Sequence, residues 1–133
     1  MLRYRLPFTI VSAAIVVSGS FVLIPQSHAA TKSIVSISIV VNNGAGAQSK
    51  WTLRCQPVAG THPNRKKACT QLLKAGIKSM APTPSDTMCT EIYGGPETAT
   101  VSGSWGKKKI RATFSRINGC EISRWEKISL LLR

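Results

Sequence analysis

The chain has 133 residues, with 18 Lys or Arg against five Asp or Glu and a formal net charge of +13. That length sets one domain. So few acids leave little for acid–base or metal chemistry, and the cation excess points to anionic partners or surfaces.

The first thirty residues stand apart. Arg3 and Arg5 precede an apolar run over residues 10–24 that includes small residues, and Ser27-His28-Ala29 supplies small side chains at the −3 and −1 positions of a cleavage site. Residues 1–29 are therefore expected to be a secretory signal peptide, cut after Ala29, and residues 30–133 the secreted, extracellular domain. The run is long enough to be weighed as an anchor. The cleavage site and the absence of charge until Lys32 favour cutting, which leaves no stable membrane anchor. Losing Arg3 and Arg5 takes the formal charge from +13 to +11.

All four cysteines, Cys55, Cys69, Cys89 and Cys120, fall in the exported part. An even count in a small secreted chain implies two disulfides, for which three connectivities exist. Zinc is not expected: there is no Cys-x-x-Cys pair, and His62 is the one histidine after residue 29.

Along the domain, residues 33–41 alternate apolar side chains with serine, as a half-buried strand does. A Gly/Asn/Ala turn over 42–48 leads to a second strand over 51–55, making a hairpin. Residues 56–64 read as loop. Residues 67–75 read as a helix with Ala68, Leu72 and Ala75 on one face and Gly76 after its end. Arg65, Lys66 and Lys67 at its start oppose the helix dipole, so either the helix begins later or the charge faces a partner. Residues 78–85 look irregular. Strands over 98–105 and 109–115 form a second hairpin across Gly106-Lys107, and residues 128–132 read as a terminal strand. The fold class is α+β, an antiparallel sheet of about five strands with one or two helices.

Residues 86–96, Asp-Thr-Met-Cys-Thr-Glu-Ile-Tyr-Gly-Gly-Pro, form a loop between turn formers. Met88 to Tyr93 carry side chains that favour an extended backbone. An extended loop pinned by a cysteine is what a protease reads as substrate. An enzyme is not indicated. His62 lies in a Thr-His-Pro loop and reads as bonding the backbone. No Gly-x-Ser-x-Gly elbow, phosphate-cradling loop or marked carboxylate pair is present, and no cofactor is expected.

Cys55-Gln-Pro57, Gly60-Thr61-His62-Pro63, Ala68-Cys69-x-x-Leu72, Asp86-Thr-Met88-Cys89, Tyr93, Gly103-x-Trp105-x-Lys107, and Phe114 through Asn118-Gly-Cys120-Glu121 follow in order. This pattern resembles the Streptomyces subtilisin inhibitor family of secreted serine-protease inhibitors. The resemblance implies a five-stranded antiparallel sheet with two helices, disulfides Cys55–Cys69 and Cys89–Cys120, and a homodimer through the sheet. It implies a reactive bond between Glu91 and Ile92, with Met88, Cys89, Thr90 and Glu91 as P4 to P1 and Ile92 and Tyr93 as P1′ and P2′. Asn118 would brace the loop from behind. The chain departs from the family at Thr90, often proline, at the longer Tyr93-Gly94-Gly95-Pro96, at its terminal Leu-Leu-Leu-Arg, and in its high charge.

A P1 carboxylate is repelled by a trypsin-type pocket and is costly to desolvate in an apolar one. Glu91 therefore implies a Glu-preferring serine protease or a subtilisin-like enzyme with a wet pocket. A second function class is a basic secreted module for an anionic cell-wall polymer or surface, using Arg65-Lys66-Lys67 and Lys107-Lys108-Lys109. Nucleic acid is not expected, because no aromatic side chain is interleaved with those clusters.

Overall fold

A computed structural model describes residues 33–133; residues 1–32, with the expected signal peptide, lie outside it. The antiparallel strands are β1 (Val35–Asn42), β2 (Gln48–Cys55), β3 (Ala59–Gly60), β4 (Thr98–Trp105) and β5 (Lys108–Phe114). Their order across the sheet is β3-β2-β1-β4-β5. Two helices, α1 (Arg65–Ala75) and α2 (Gly119–Lys127), and a 3₁₀ turn, Ile77–Met80, complete the domain. Disulfides join Cys55 to Cys69 and Cys89 to Cys120. The expected fold class and pairing hold.

The strand alternation does what its period dictates. Val35, Ile37 and Ile39 of β1, Leu53 and Cys55 of β2, Ala99 and Val101 of β4, and Ile110, Ala112 and Phe114 of β5 point to one face and are buried. Ala68, Cys69 and Leu72 of α1 and Trp125 of α2 belong to the same buried cluster. Each fully buried Leu, Ile or Phe there contributes about 1.5–3 kcal/mol.

Three expectations are corrected. Residues 128–132 are not a strand. Their amides bond three residues back, Ile128 N–H to Trp125 O (3.1 Å) and Leu131 N–H to Ile128 O (2.8 Å), and the Leu130 N–H donates to Gln71 Oε1 (2.8 Å). Ile128, Leu131 and Leu132 plug the core from this turn. A short apolar run does not by itself distinguish a strand from such a plug. The fifth strand is instead β3, two residues inside the segment read as loop. Helix α1 begins at Arg65, so all three cations occupy its first turn, with no acid there and no side-chain cap from Asn64. Arg65 Nη1 donates to Gly60 O (3.1 Å), a tertiary bond that offsets part of the unfavourable dipole contact.

His62 holds the C-terminal plug. It is fully buried, with Nε2 3.0 Å from Leu131 O and Nδ1 3.1 Å from Asn64 N. A backbone N–H can only donate, so Nδ1 accepts and Nε2 carries the proton. Burial pushes the imidazole below its ordinary pKa, and the bond to Leu131 O partly opposes that shift.

Candidate functional site

Residues 81–97 cross from the 3₁₀ turn to β4 without forming a strand or helix. Proline removes amide donors and glycine adds backbone freedom here, so tertiary ties must set the shape.

Those ties converge on one short stretch, residues 116–120. The Cys89–Cys120 disulfide holds the loop at Cys89, with a Cα–Cα distance of 5.4 Å. The Gly119 N–H donates to Thr90 O (2.9 Å), and the Gly94 N–H donates to Arg116 O (2.7 Å). Only Glu91, Ile92 and Tyr93 lie between the last two ties, and all three are exposed. The peptide bond from Glu91 to Ile92 is therefore held on both sides by a single underlying segment.

Helix α2 makes this possible. Asn118 is its N-cap, and Asn118 Oδ1 accepts from the Glu121 N–H (3.0 Å). Capping leaves the first helical amide, that of Gly119, free to donate outward, and it points at Thr90 O. Asn118 thus acts on the loop through the helix end: its recorded side-chain bond goes to Glu121, and the bond to the loop comes from its neighbour's backbone. The residues reveal the helix in retrospect: Asn118 followed by Glu121 has capping-box spacing, and Ile122 and Trp125 continue one face.

Two glycines permit the close approach. A Cβ at Gly119 would land on Thr90 Oγ1, and one at Gly94 would stand 2.8 Å from Ile122 Cγ1. Arg–carboxylate pairs stiffen the surroundings. Arg116 Nη1 lies 3.4 Å from Glu97 Oε2 beyond the loop's exit. Arg124 Nη1 lies 2.6 Å from Glu121 Oε2, Thr83 Oγ1 donates to Glu121 Oε1 (2.8 Å) before its entry, and Arg124 stacks over Phe114 at 4.6 Å.

The loop offers apolar side chains to solvent. Met88 is 96% exposed, Ile92 59% and Tyr93 66%. All three fall within six residues of one tethered loop. Among the described residues the Glu91 carboxylate has no hydrogen bond or ion pair. No group of three or more His, Cys, Asp or Glu among them could hold a metal. No helix among them is long and apolar enough to cross a membrane.

The sequence-expected residues Met88, Cys89, Thr90, Glu91, Ile92, Tyr93, Asn118 and Cys120 thus come together at one end of α2. The cationic residues do not join them. Arg65, Lys66 and Lys67 open α1, and Lys107 to Lys109 lie at the β4–β5 turn and the start of β5. Sequence reasoning missed the ties made by Gly119, Gly94 and Arg116, which run through backbone atoms.

A subtilisin inhibitor-like family model matches residues 31–116. "Subtilisin inhibitor-like protein 1" of Streptomyces cacaoi is 35% identical over 101 residues, covering 73% of this chain and 91% of that protein. "Protease inhibitor SIL-V5" of Streptomyces luteoverticillatus is 37% identical over 59% of this chain and 74% of that protein. The "Transglutaminase-activating metalloprotease inhibitor" of Streptomyces mobaraensis is 33% identical over 59% of this chain and 54% of that protein. With its sheet, its two disulfides and its tethered loop, the chain belongs to the subtilisin inhibitor-like family.

Proposed function

We propose that this protein is a secreted inhibitor of serine endopeptidases that binds them as a substrate would, through residues 88–93, with Glu91-Ile92 as the bond presented for cleavage. The observation that carries the reading is the set of ties flanking that bond: the disulfide at Cys89, the Gly119 N–H to Thr90 O, and the Gly94 N–H to Arg116 O. The relatives are named as protease inhibitors.

The chemistry follows from those ties. A protease binds an extended peptide by main-chain hydrogen bonds and side-chain pockets. A loop already held in that shape loses less entropy on binding and binds more tightly. Attack by the protease serine on the Glu91 carbonyl breaks the bond to Ile92, forms an acyl ester and passes a proton to the departing amine. Here that amine cannot diffuse away, because Cys89 and Gly94 both remain attached to residues 116–120. The Ile92 amine stays beside the ester at high effective concentration, and religation competes with hydrolysis.

Glu91 sets the target. Its carboxylate suits a pocket with His, Lys, Arg or hydroxyl donors, so the partner is a Glu-preferring or a wet-pocketed subtilisin-like enzyme. Residues 1–29 are the export signal in this reading. In this reading the protein is a homodimer paired through the sheet, as the resemblance implies.

The test is titration of the oxidised, exported protein against a subtilisin-type and a Glu-specific serine protease, with mass spectrometry of the mixtures and a metalloprotease run beside them. Stoichiometric loss of activity, with slow cleavage only between Glu91 and Ile92, is expected. Rapid degradation at many sites, or inhibition of the metalloprotease alone, would overturn the reading.

A further inference from the structure

Residues 88–93 are too few to hold a protease by themselves. A stable protease–inhibitor interface takes roughly 20–30 residues from each partner, and this stretch supplies six. The remainder must come from what lies beside the loop, because an enzyme that reaches the Glu91 carbonyl also covers the chain next to it. The nearest chain is the segment that braces the loop.

The two backbone ties fix how that segment runs. The Gly94 N–H meets Arg116 O, and the Gly119 N–H meets Thr90 O, so residues 116–119 run antiparallel to residues 90–94. Hydrogen bonds at both ends keep the two backbones about 5 Å apart. Tyr93 precedes the Gly94 tie on the loop, and Ile117 follows the Arg116 tie on the brace. The two residues therefore flank the same tie, on the side of the bond that departs with the Ile92 amine.

Along residues 115–122 every residue is half-buried except Ile117, which is 61% exposed. The helix end offers it a place inside. A hydrophobic residue just before an N-cap commonly folds onto the fourth helical residue, here Ile122. Gly94 packs on Ile122, so closely that a Cβ would stand 2.8 Å from Ile122 Cγ1, and Ile117 is left to solvent. The large apolar residues exposed among the described residues are Ile34, Val58, Met88, Ile92, Tyr93 and Ile117. Four of these six fall in the loop and its brace, and of those four Ile117 alone lies outside the substrate-like stretch.

We propose that Ile117 is a second contact and specificity residue, packing with Tyr93 against an apolar rim of the target protease on the primed side of the Glu91-Ile92 bond. This role rests on the inhibition proposed above and adds to it. Glu91 selects an enzyme by its S1 pocket, and Ile117 selects it by the surface beyond the cleft. A charged rim is disfavoured there, because isoleucine cannot replace the water such a rim would lose. The contact costs little ordering entropy, because the backbone on either side of Ile117 is already tied.

The experiment titrates the oxidised, exported protein against a subtilisin-type and a Glu-specific serine protease, reading association, dissociation and cleavage between Glu91 and Ile92. Urea melts are run on the same samples. Against whichever enzyme the parent inhibits, Ile117→Ala should weaken inhibition roughly tenfold, the worth of the carbons it removes from a covered surface. Ile117→Asp should weaken it by roughly a further tenfold. Both losses should appear in faster dissociation, with the melt and the cleavage rate within the complex unchanged, and Ile117→Leu should inhibit like the parent. Val58, 44% exposed at the end of the sheet away from the loop exit, supplies the control: Val58→Ala should leave inhibition unchanged. Undiminished inhibition by Ile117→Asp overturns the proposal. A lowered melt that tracks the weaker inhibition does so too, since Ile117 would then serve the helix end. Faster cleavage in the complex would make Ile117 part of the brace and not of the contact. Failure of the parent to inhibit either enzyme sinks the inhibitor reading and this role together, whereas failure of the Ile117 variants alone leaves that reading standing.

Discussion

Gly119→Ala is the sharpest probe of the loop, because the structure predicts opposite effects on fold and inhibition. Gly119 opens α2, where alanine is intrinsically favoured over glycine by up to about 1 kcal/mol. Global stability should hold or rise. The added Cβ, however, lands on Thr90 Oγ1. Thr90 must then turn or withdraw, which loosens the 2.9 Å bond from the Gly119 N–H to Thr90 O. Such a bond is worth about 0.5–1.5 kcal/mol, so the loss reaches up to about tenfold in the inhibition constant. Cleavage between Glu91 and Ile92 should quicken with it. The double variant Gly119→Ala/Thr90→Ala supplies the control. With Oγ1 gone, the new Cβ meets only Thr90 Cβ at 3.4 Å and Thr90 O at 3.6 Å, which is ordinary contact, so inhibition should return. The assay is inhibitor titration at fixed protease, with urea unfolding on the same samples. Undiminished inhibition by Gly119→Ala, or no recovery in the double variant, would refute the reasoning.

Four further outcomes follow from the structure. Glu91→Lys should move inhibition toward a trypsin-type protease, whose acidic pocket now finds a cation; if trypsin is untouched while the melt is unchanged, the P1 assignment is wrong. Cys89→Ser/Cys120→Ser opens a cross-link spanning 31 residues, which should lower stability by about 3–4 kcal/mol and turn the inhibitor into a substrate cut at Glu91-Ile92. Cys55→Ser/Cys69→Ser, spanning 14 residues, should cost about 3 kcal/mol; partial unfolding aside, its folded fraction should still inhibit, as titration at low temperature will read. His62 has a folded pKa below its unfolded value near 6.5. The unfolded state therefore binds the extra proton first. The contribution of His62 is full above about pH 6.5 and declines as pH falls toward the folded value, where it levels off. Urea melts of the parent and of His62→Gln between pH 4 and 8 should converge at the acid end; a constant gap would show that His62 does not titrate this way.

The proposed inhibition by a braced loop needs the brace to be stiffer than the residues it presents. The structure divides those tasks by position. Residues 91–93 stay exposed and unbonded by side chains, while the residues on either side of them are tied to 116–120. The longer exit, Tyr93-Gly94-Gly95-Pro96, is compensated locally: Gly94 accepts its close packing against Ile122 and Arg116 because it has no Cβ, and Gly95, at φ +136, adopts backbone that other residues avoid. Arg116 then reaches Glu97 just beyond. On the proposed reading, specificity and rigidity can therefore be changed at different residues.

Much of the molecule was legible from its residues. Alternation every second position settled which side of β1, β2, β4 and β5 meets the core, because side chains on a pleated strand have no third direction. The even number of cysteines after residue 29 implied two disulfides, and the turn formers around residues 86–96 marked the loop. His62 reads correctly as a backbone-bonding loop residue. Tertiary structure alone decided the rest. Residues 128–132 have the composition of a strand, but a strand needs a neighbour's edge, and here Gln71, His62 and the preceding turn satisfy the backbone instead. β3 is too short to carry any periodic signal. The brace behind the loop is made of the Gly119 amide and the Arg116 carbonyl, and backbone atoms are the same in every residue, so no side-chain pattern announces which of them will face Thr90 and Gly94. Side-chain pattern determines which surfaces are apolar; only the packed chain decides which amides and carbonyls are left over to hold a loop.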